Sequence, residues 1–262
     1  MKKICIIIIT LFLLIHCGES FRPIRNVPEK AKKVVLFLDF ENNSIGSGKD
    51  NWDGLRRAIP SMILTDFKNF GTYRPVTEDA RLSALKELKR VQQGILEDRG
   101  IQAGKLASAD FILSGNFMEI SSSIAITAKL TDVQTGEAVS SSSQQGHVDS
   151  ILNPPEKSLI KKTSITLLSQ TQYNPTTNEI QMIADVIETK KIQAAVKNYE
   201  GEIIMDDVAL LKKSGKSAES QEVKSLEEKA NWKFKSAVSE DPSYERAKQN
   251  MEATVSLLPP AF

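Results

Sequence analysis

Phe111-Ile112-Leu113-Ser114-Gly115-Asn116-Phe117-Met118-Glu119-Ile120, with the alternating run behind it, decides how this chain folds. The first run is rich in Phe and Ile and reads as a strand. In the second, Ile124, Ile126, Ala128 and Leu130 alternate with Ala125, Thr127, Lys129 and Thr131. That period of two gives a strand with one buried and one wet face. Asp132-Val133-Gln134-Thr135-Gly136-Glu137 is a hairpin turn. Gly136 suits a position with positive φ, Asp132 can accept from the turn amides, and Thr135 can do so more weakly. Ala138 to His147 then pairs back as a third antiparallel strand. Gly115 inside the first strand marks a bulge or a close approach by another backbone.

Upstream, Val34 to Phe40 is a continuous apolar run, the pattern of a strand buried on both faces. A turn-rich loop, Glu41 to Gly48, follows it. A helix is expected over about 51–70, because Leu55, Ile59, Met62, Ile63, Phe67 and Phe70 recur at three- and four-residue spacing. Asp50 or Asn51 would cap it, Pro60 would kink or divide it, and Gly71 would end it. Tyr73 to Val76 is a short second strand, and Pro75 keeps it out of a central ladder position. Helices over about 79–99 and 102–108 lead into Phe111. The order β-α-β-α-α-β-β-β defines an α/β layer with antiparallel edges. Beyond Pro154-Pro155 comes a mixed segment, about 157–171. From Glu179 onward there are no strand signals, and helices are expected at about 179–213, 221–239 and 243–256, an all-α C-terminal region.

The chain opens with Lys2-Lys3 and the apolar run Ile4 to Ile15, which ends at Leu14-Ile15-His16-Cys17-Gly18. About a dozen apolar residues are too few for a spanning helix, which needs roughly 20, so a cleaved secretory leader fits better. Leu14 three residues before Cys17 resembles the lipobox of bacterial lipoproteins, with His16 departing from the usual small residue. Cys17 is therefore the expected lipid-attachment residue, and several acyl chains would anchor the protein durably. With Cys5 removed in the leader and Cys17 acylated, no thiol remains for a disulfide, a metal site or a nucleophile. Losing Lys2 and Lys3 takes the formal charge from +1 to −1, so nothing in the charge favours nucleic acid. The expected organisation is a signal peptide at 1–16, a lipidated tether at 17–32, an α/β domain at 33–171 and a helical region at 172–262.

Three motifs carry a family resemblance. Val35 to Asn42 ends in Phe40-Glu41-Asn42; Ala109-Asp110-Phe111-Ile112-Leu113-Ser114-Gly115-Asn116 opens the second strand block; Asp132 to Glu137 forms its hairpin. In order and spacing they resemble the CsgG-type family of curli secretion lipoproteins. The resemblance implies a CsgG-like periplasmic layer domain. The family's long barrel inserts have no counterpart here: only a Ser-rich turn lies between Ile120 and Ser123, and 148–171 is short. A pore is therefore not expected. Ala230, Phe234, Ala237, Asp241 and Pro242, then Tyr244, Ala247, Asn250 and Met251, resemble a degenerate tetratricopeptide unit. Phe234 and Tyr244 would line or support a partner groove there.

Catalytic chemistry finds little footing. Asp39 and Glu41 look like a carboxylate pair but have no His, Lys or metal cluster beside them, and they read as a strand end and a loop start. Only His147 would remain in the mature chain. No phosphate loop occurs, and no cofactor or metal is expected. The expected function is a non-enzymatic, lipid-anchored periplasmic adaptor in envelope assembly or secretion. The alternative is a lipoprotein activator or regulator of a cell-wall synthesis enzyme. Expected partners are the membrane through Cys17, other envelope proteins and a second copy in a homo-oligomer. The expected location is the outer membrane facing the periplasm, with inner-membrane anchoring second.

Overall fold

A computed structural model describes residues 23–45, 51–90, 96–154, 157–185 and 188–255; the signal peptide and Cys17 lie outside the described residues. The strands are β1 (Lys33–Phe37), β2 (Glu41–Asn42), β3 (Tyr73–Pro75), β4 (Phe111–Ile120), β5 (Ser123–Asp132) and β6 (Ala138–His147). The helices are α1 (Leu55–Phe70), α2 (Glu78–Arg90), α3 (Leu96–Leu106), α4 (Leu159–Ser169), α5 (Thr177–Ala184), α6 (Ile192–Lys213), α7 (Gln221–Glu240) and α8 (Glu245–Val255). One open mixed sheet runs β3-β1-β4-β5-β6, with β2 also beside β4. β1 is parallel to both β3 and β4, while β4, β5 and β6 form an antiparallel meander.

β1 is buried on both faces, as its apolar run predicts. Val35 faces a core shared with α1 and α4; Leu36 and Leu38 face a second core with Val76, Ala84 and Ala103. The β4–β5 register runs unbroken from Phe111↔Asp132 to Ile120↔Ser123, so Leu113, Phe117, Ile124, Ile126, Ala128 and Leu130 all enter the first core. No bulge forms at Gly115. Its second expected role holds instead: a Cβ there would sit 2.2 Å from the Thr127 carbonyl oxygen and 2.7 Å from the Phe40 ring. The register shift falls at Leu130/Thr131 against β6. The hairpin is built as expected, with the Asp132 carboxylate accepting from Gln134 and Thr135 N–H at 2.8 Å each and Gly136 at φ 77°.

Pro60 does not divide α1. A proline at this position cannot donate to the carbonyl four residues back, and that carbonyl, on Arg56, accepts from Phe40 N–H at 2.8 Å instead. The connection between β1 and β2 supplies the bond that the helix lacks. Further elements depart from the sequence expectation, beginning with the helices expected at about 79–99 and 102–108: α2 is described to Arg90, and α3 already begins at Leu96 and runs through Gly100 to Leu106. The mixed segment 157–171 contains α4, which covers the meander with Leu159, Ile160, Leu167 and Leu168. The single helix expected at 179–213 is two, α5 and α6, and α5 opens with a capping box between Thr176 and Glu179. The stretch expected as a tether, 17–32, is docked from Pro23 onward. Ile24 and Arg25 N–H donate to the Asn69 and Phe70 carbonyls at 2.9 and 2.8 Å, and Arg25 pairs with Glu179 at 2.7 Å. Gly71, at φ 95°, permits this, because a Cβ there would lie 2.0 Å from the Arg25 carbonyl oxygen.

β6 is an edge strand. The Gln170 side chain accepts from Ser141 N–H and donates to the Ser141 carbonyl, both at 2.9 Å, and so occupies its outer edge at that point. α6 and α7 form a long antiparallel hairpin in which Phe234 lies against Gly201, where a Cβ would meet its ring at 2.5 Å. The first core crosses the boundary expected at 171/172, since Ile183, Ala195, Val196 and Tyr199 belong to it.

Candidate functional site: an open sheet face and a charged cleft

Helices cover one face of the meander. The other face stays uncovered toward the end of β4, where Ser121 and Ser122 turn the chain at φ 51° and 67°. Two consecutive positive φ values match the twist of a tight hairpin. There the alternation that sends Phe117 inward sends Met118 and Ile120 outward, 39% and 47% exposed. Ala125 pairs beside Met118 on the same face. The loop after β2 joins them: Asn43 N–H donates to the Phe117 carbonyl and Glu119 N–H to Ser44 Oγ, which brings Ile45, 73% exposed, to this tip. Exposed apolar side chains gathered at one place mark a contact surface more often than single ones do. Further along the same face a cavity of about 270 Å³ is lined by Leu38, Ile112, Gly115, Asn116 and Thr127.

A second concavity, of about 480 Å³, lies where α6 and α8 meet α1, α2 and β1. Its floor is charged. Arg57 bridges Asp39 and Asp206, the latter at 2.6 Å, and Arg81 bridges Glu78 and Asp206. Arg246 pairs with Glu202 at 2.8 Å, reaches Ser61 at 3.3 Å and lies 4.8 Å from the Tyr199 ring centre. Burial works against the Asp206 charge, but Arg81 and Arg57 outweigh it and hold the carboxyl below its ordinary value. Burial likewise opposes the charges of Arg81 and Arg246, but Asp206 and Glu78 raise Arg81, and Tyr199, Glu202 and Glu188 raise Arg246, both above the ordinary arginine value. Asp39 is thus an ion-pair partner of Arg57, and Glu41 sits apart in β2, so the two do not form a dyad. Among the described residues, no three His, Cys, Asp or Glu side chains come together as a metal site.

The residues expected to serve a partner groove are both buried. Phe234 lines the inner wall of the charged cleft. Tyr244 packs with Ala194, Ala237 and Ala247, and its hydroxyl lies 3.4 Å from Asn198 Nδ2. Neither the open tip nor the Arg57–Asp206–Arg81 chain was expected from sequence. The tip had a signal, since outward Met118 and Ile120 follow from the β4 alternation. The ion-pair chain had none, because Arg81 and Asp206 stand 125 residues apart.

No family model matches the chain, and no curated protein matches it. Solved structures do. The LpoB C-terminal domain from Salmonella enterica is 19% identical and matches over 45% of this chain and 84% of that one, with a TM-score of 0.33. E. coli LpoB is 18% identical over 44% of this chain and 56% of that one, TM-score 0.34. Lipoprotein GNA1162 from Neisseria meningitidis is 16% identical over 44% and 80%, TM-score 0.34. The expected membership of the CsgG-type family is corrected by these findings, which include no curli channel among the structures reported. The three motifs do local work that explains them without it: Asn42 accepts from Ser44 N–H, Asp110 accepts from Val34 N–H, and Asp132 braces its turn. The tetratricopeptide resemblance is corrected too, since α6 and α7 run 22 and 20 residues and α6 is docked into the first core. Likeness at this level assigns this chain neither a family nor an activity.

Proposed function

We propose that this chain is a lipid-anchored docking protein of the cell envelope that regulates a cell-wall synthesis enzyme by contact and catalyses no reaction itself. The secretion reading rested on the curli-family resemblance and falls with it; the regulator reading needs only an anchor and a partner face. The anchor is the lipid on Cys17, where the leader's apolar run stops. The observation that carries the docking role is the uncovered tip formed by Ile45, Met118 and Ile120. The charged cleft is the joint that fixes the helices to the sheet domain: its arginines are spent on neighbouring carboxylates. Phe234 supports that joint from within.

Crosslinking in intact envelopes followed by pull-down tests this. The wild type is expected to recover a cell-wall synthase, and Met118→Glu with Ile120→Glu to lose it while staying folded and membrane-bound. Recovery of secretion components in place of a synthase, or unchanged recovery by the double variant, would sink the reading.

A further inference from the structure

The docked stretch Pro23 to Arg25 limits how far the folded body can stand from its lipid. We infer that the protein is held with the C-terminal end of α1 toward the lipid surface and the Met118–Ile120 tip pointing away from it, to a partner seated within about 60 Å of the same membrane. This rests on the reading of Cys17 as the anchor.

Six chain steps separate Cys17 from Pro23, and even fully extended they span only about 20 Å. The leash ends there because Ile24 and Arg25 are bonded to Asn69 and Phe70, at the end of α1. The Arg25 guanidinium grips Glu179 through two bonds and the Asn174 carbonyl through a third, and lies 4.5 Å from the Phe70 ring centre. Had residues 23–32 been free, the reach would be about 35 Å greater. The same end of the molecule starts β1, since Lys33 N–H donates to the Thr72 carbonyl. β4 runs parallel to β1 from Val35↔Phe111 onward, away from the anchored end. Its ten residues carry the chain about 30 Å, so Ile120 and the Ser121–Ser122 turn lie at the opposite pole. Leash, the two-residue offset of β4 along β1 and the strand together set the limit of about 60 Å.

Energy transfer to a membrane acceptor reads this directly. Lys68→Cys and Gln145→Cys place a dye at the proximal and distal ends, both on exposed positions. An acylated Cys17 has no free thiol to compete for the label. The full lipidated protein is bound to phosphatidylethanolamine–phosphatidylglycerol vesicles carrying a headgroup acceptor. The Lys68→Cys dye is expected to transfer several-fold more efficiently than the Gln145→Cys dye. Arg25→Ala is expected to reduce transfer at the proximal site and narrow the gap. Equal transfer at the two sites, or more at Gln145→Cys, would overturn the orientation. Protein left in the supernatant with no transfer at either site would overturn the anchor reading, and the proposal with it.

Discussion

Between β4, β5 and α1 the packing is apolar throughout: Leu113, Phe117 and Ile126 meet Ile59, Ile63 and Phe67. Between α1, α2 and α6 it runs through Arg57, Asp206 and Arg81. The first kind of contact is indifferent to direction and is stabilised by area alone. The second fixes which face of α6 meets which face of α1, because each guanidinium donates to carboxylates in only a few directions. Replacing such pairs with apolar residues is often neutral, whereas removing one partner is costly, since the survivor is left charged and buried. The sheet domain is therefore expected to tolerate changes that the joint does not.

The largest effect should come from Phe234→Ala, about 3–5 kcal/mol for the loss of a buried ring. Because α6 shares the first core while α7 packs on α6, limited proteolysis should cut within 214–220 and leave a fragment through α6. A wholly degradable chain would show that the helices and the sheet form one cooperative unit. Asp206→Ala should cost about 3 kcal/mol, at the low end for a broken buried pair, since Arg57 keeps Asp39 and Arg81 keeps Glu78. Chemical denaturation of the two variants side by side would rank them; a neutral Asp206→Ala would mean that the joint is held by area after all.

The next prediction concerns pH. Asp66, on α1, is bound to Lys161 and Ser164 of α4, and burial pushes its carboxyl up to about 6 despite the pull of Lys161. A folded-state value above the ordinary 3.8 means that the folded form holds its proton more tightly. Its contribution to stability is complete below about pH 4 and lost as pH rises through about 6, on the order of 2–3 kcal/mol. Asp66→Asn should flatten that part of the stability–pH curve, and an unchanged slope would assign the dependence elsewhere. The smallest effect is Asp132→Ala, about 1 kcal/mol for two turn amides returned to water. Amide exchange should localise it to 132–137.

The meander was legible because everything that shapes it is local: a period of two, a turn with Asp132 and Gly136, and a two-serine reversal. α4 was hidden by its Thr163, Ser164, Thr166 and Ser169, which read as poor helix formers. In place, Thr163 and Ser164 hydroxyls return to the carbonyls of Leu159 and Ile160 four residues back, and tertiary burial overrides propensity. Pro60 misled for a related reason, because its missing bond is supplied by Phe40, in the connection between β1 and β2, outside the helix's own periodicity. Of the functional surfaces, Phe234 was visible as a helix-packing aromatic but not as the wall of a cleft. The cleft's charges belong to helices whose mutual placement no local pattern encodes.

Gln170 has a consequence for how these molecules behave together at high concentration. An edge strand such as β6, rich in serine and free of lysine, arginine and proline, offers its backbone as a template on which another chain can crystallise into fibre. By filling the bonding sites of Ser141, the Gln170 amide interrupts the template partway along the strand and leaves only the run after it open to pairing. Gln170→Ala would leave the monomer nearly as stable as before. It should nonetheless lower the concentration at which the protein clouds, because the whole of the β6 edge would then be open to another chain.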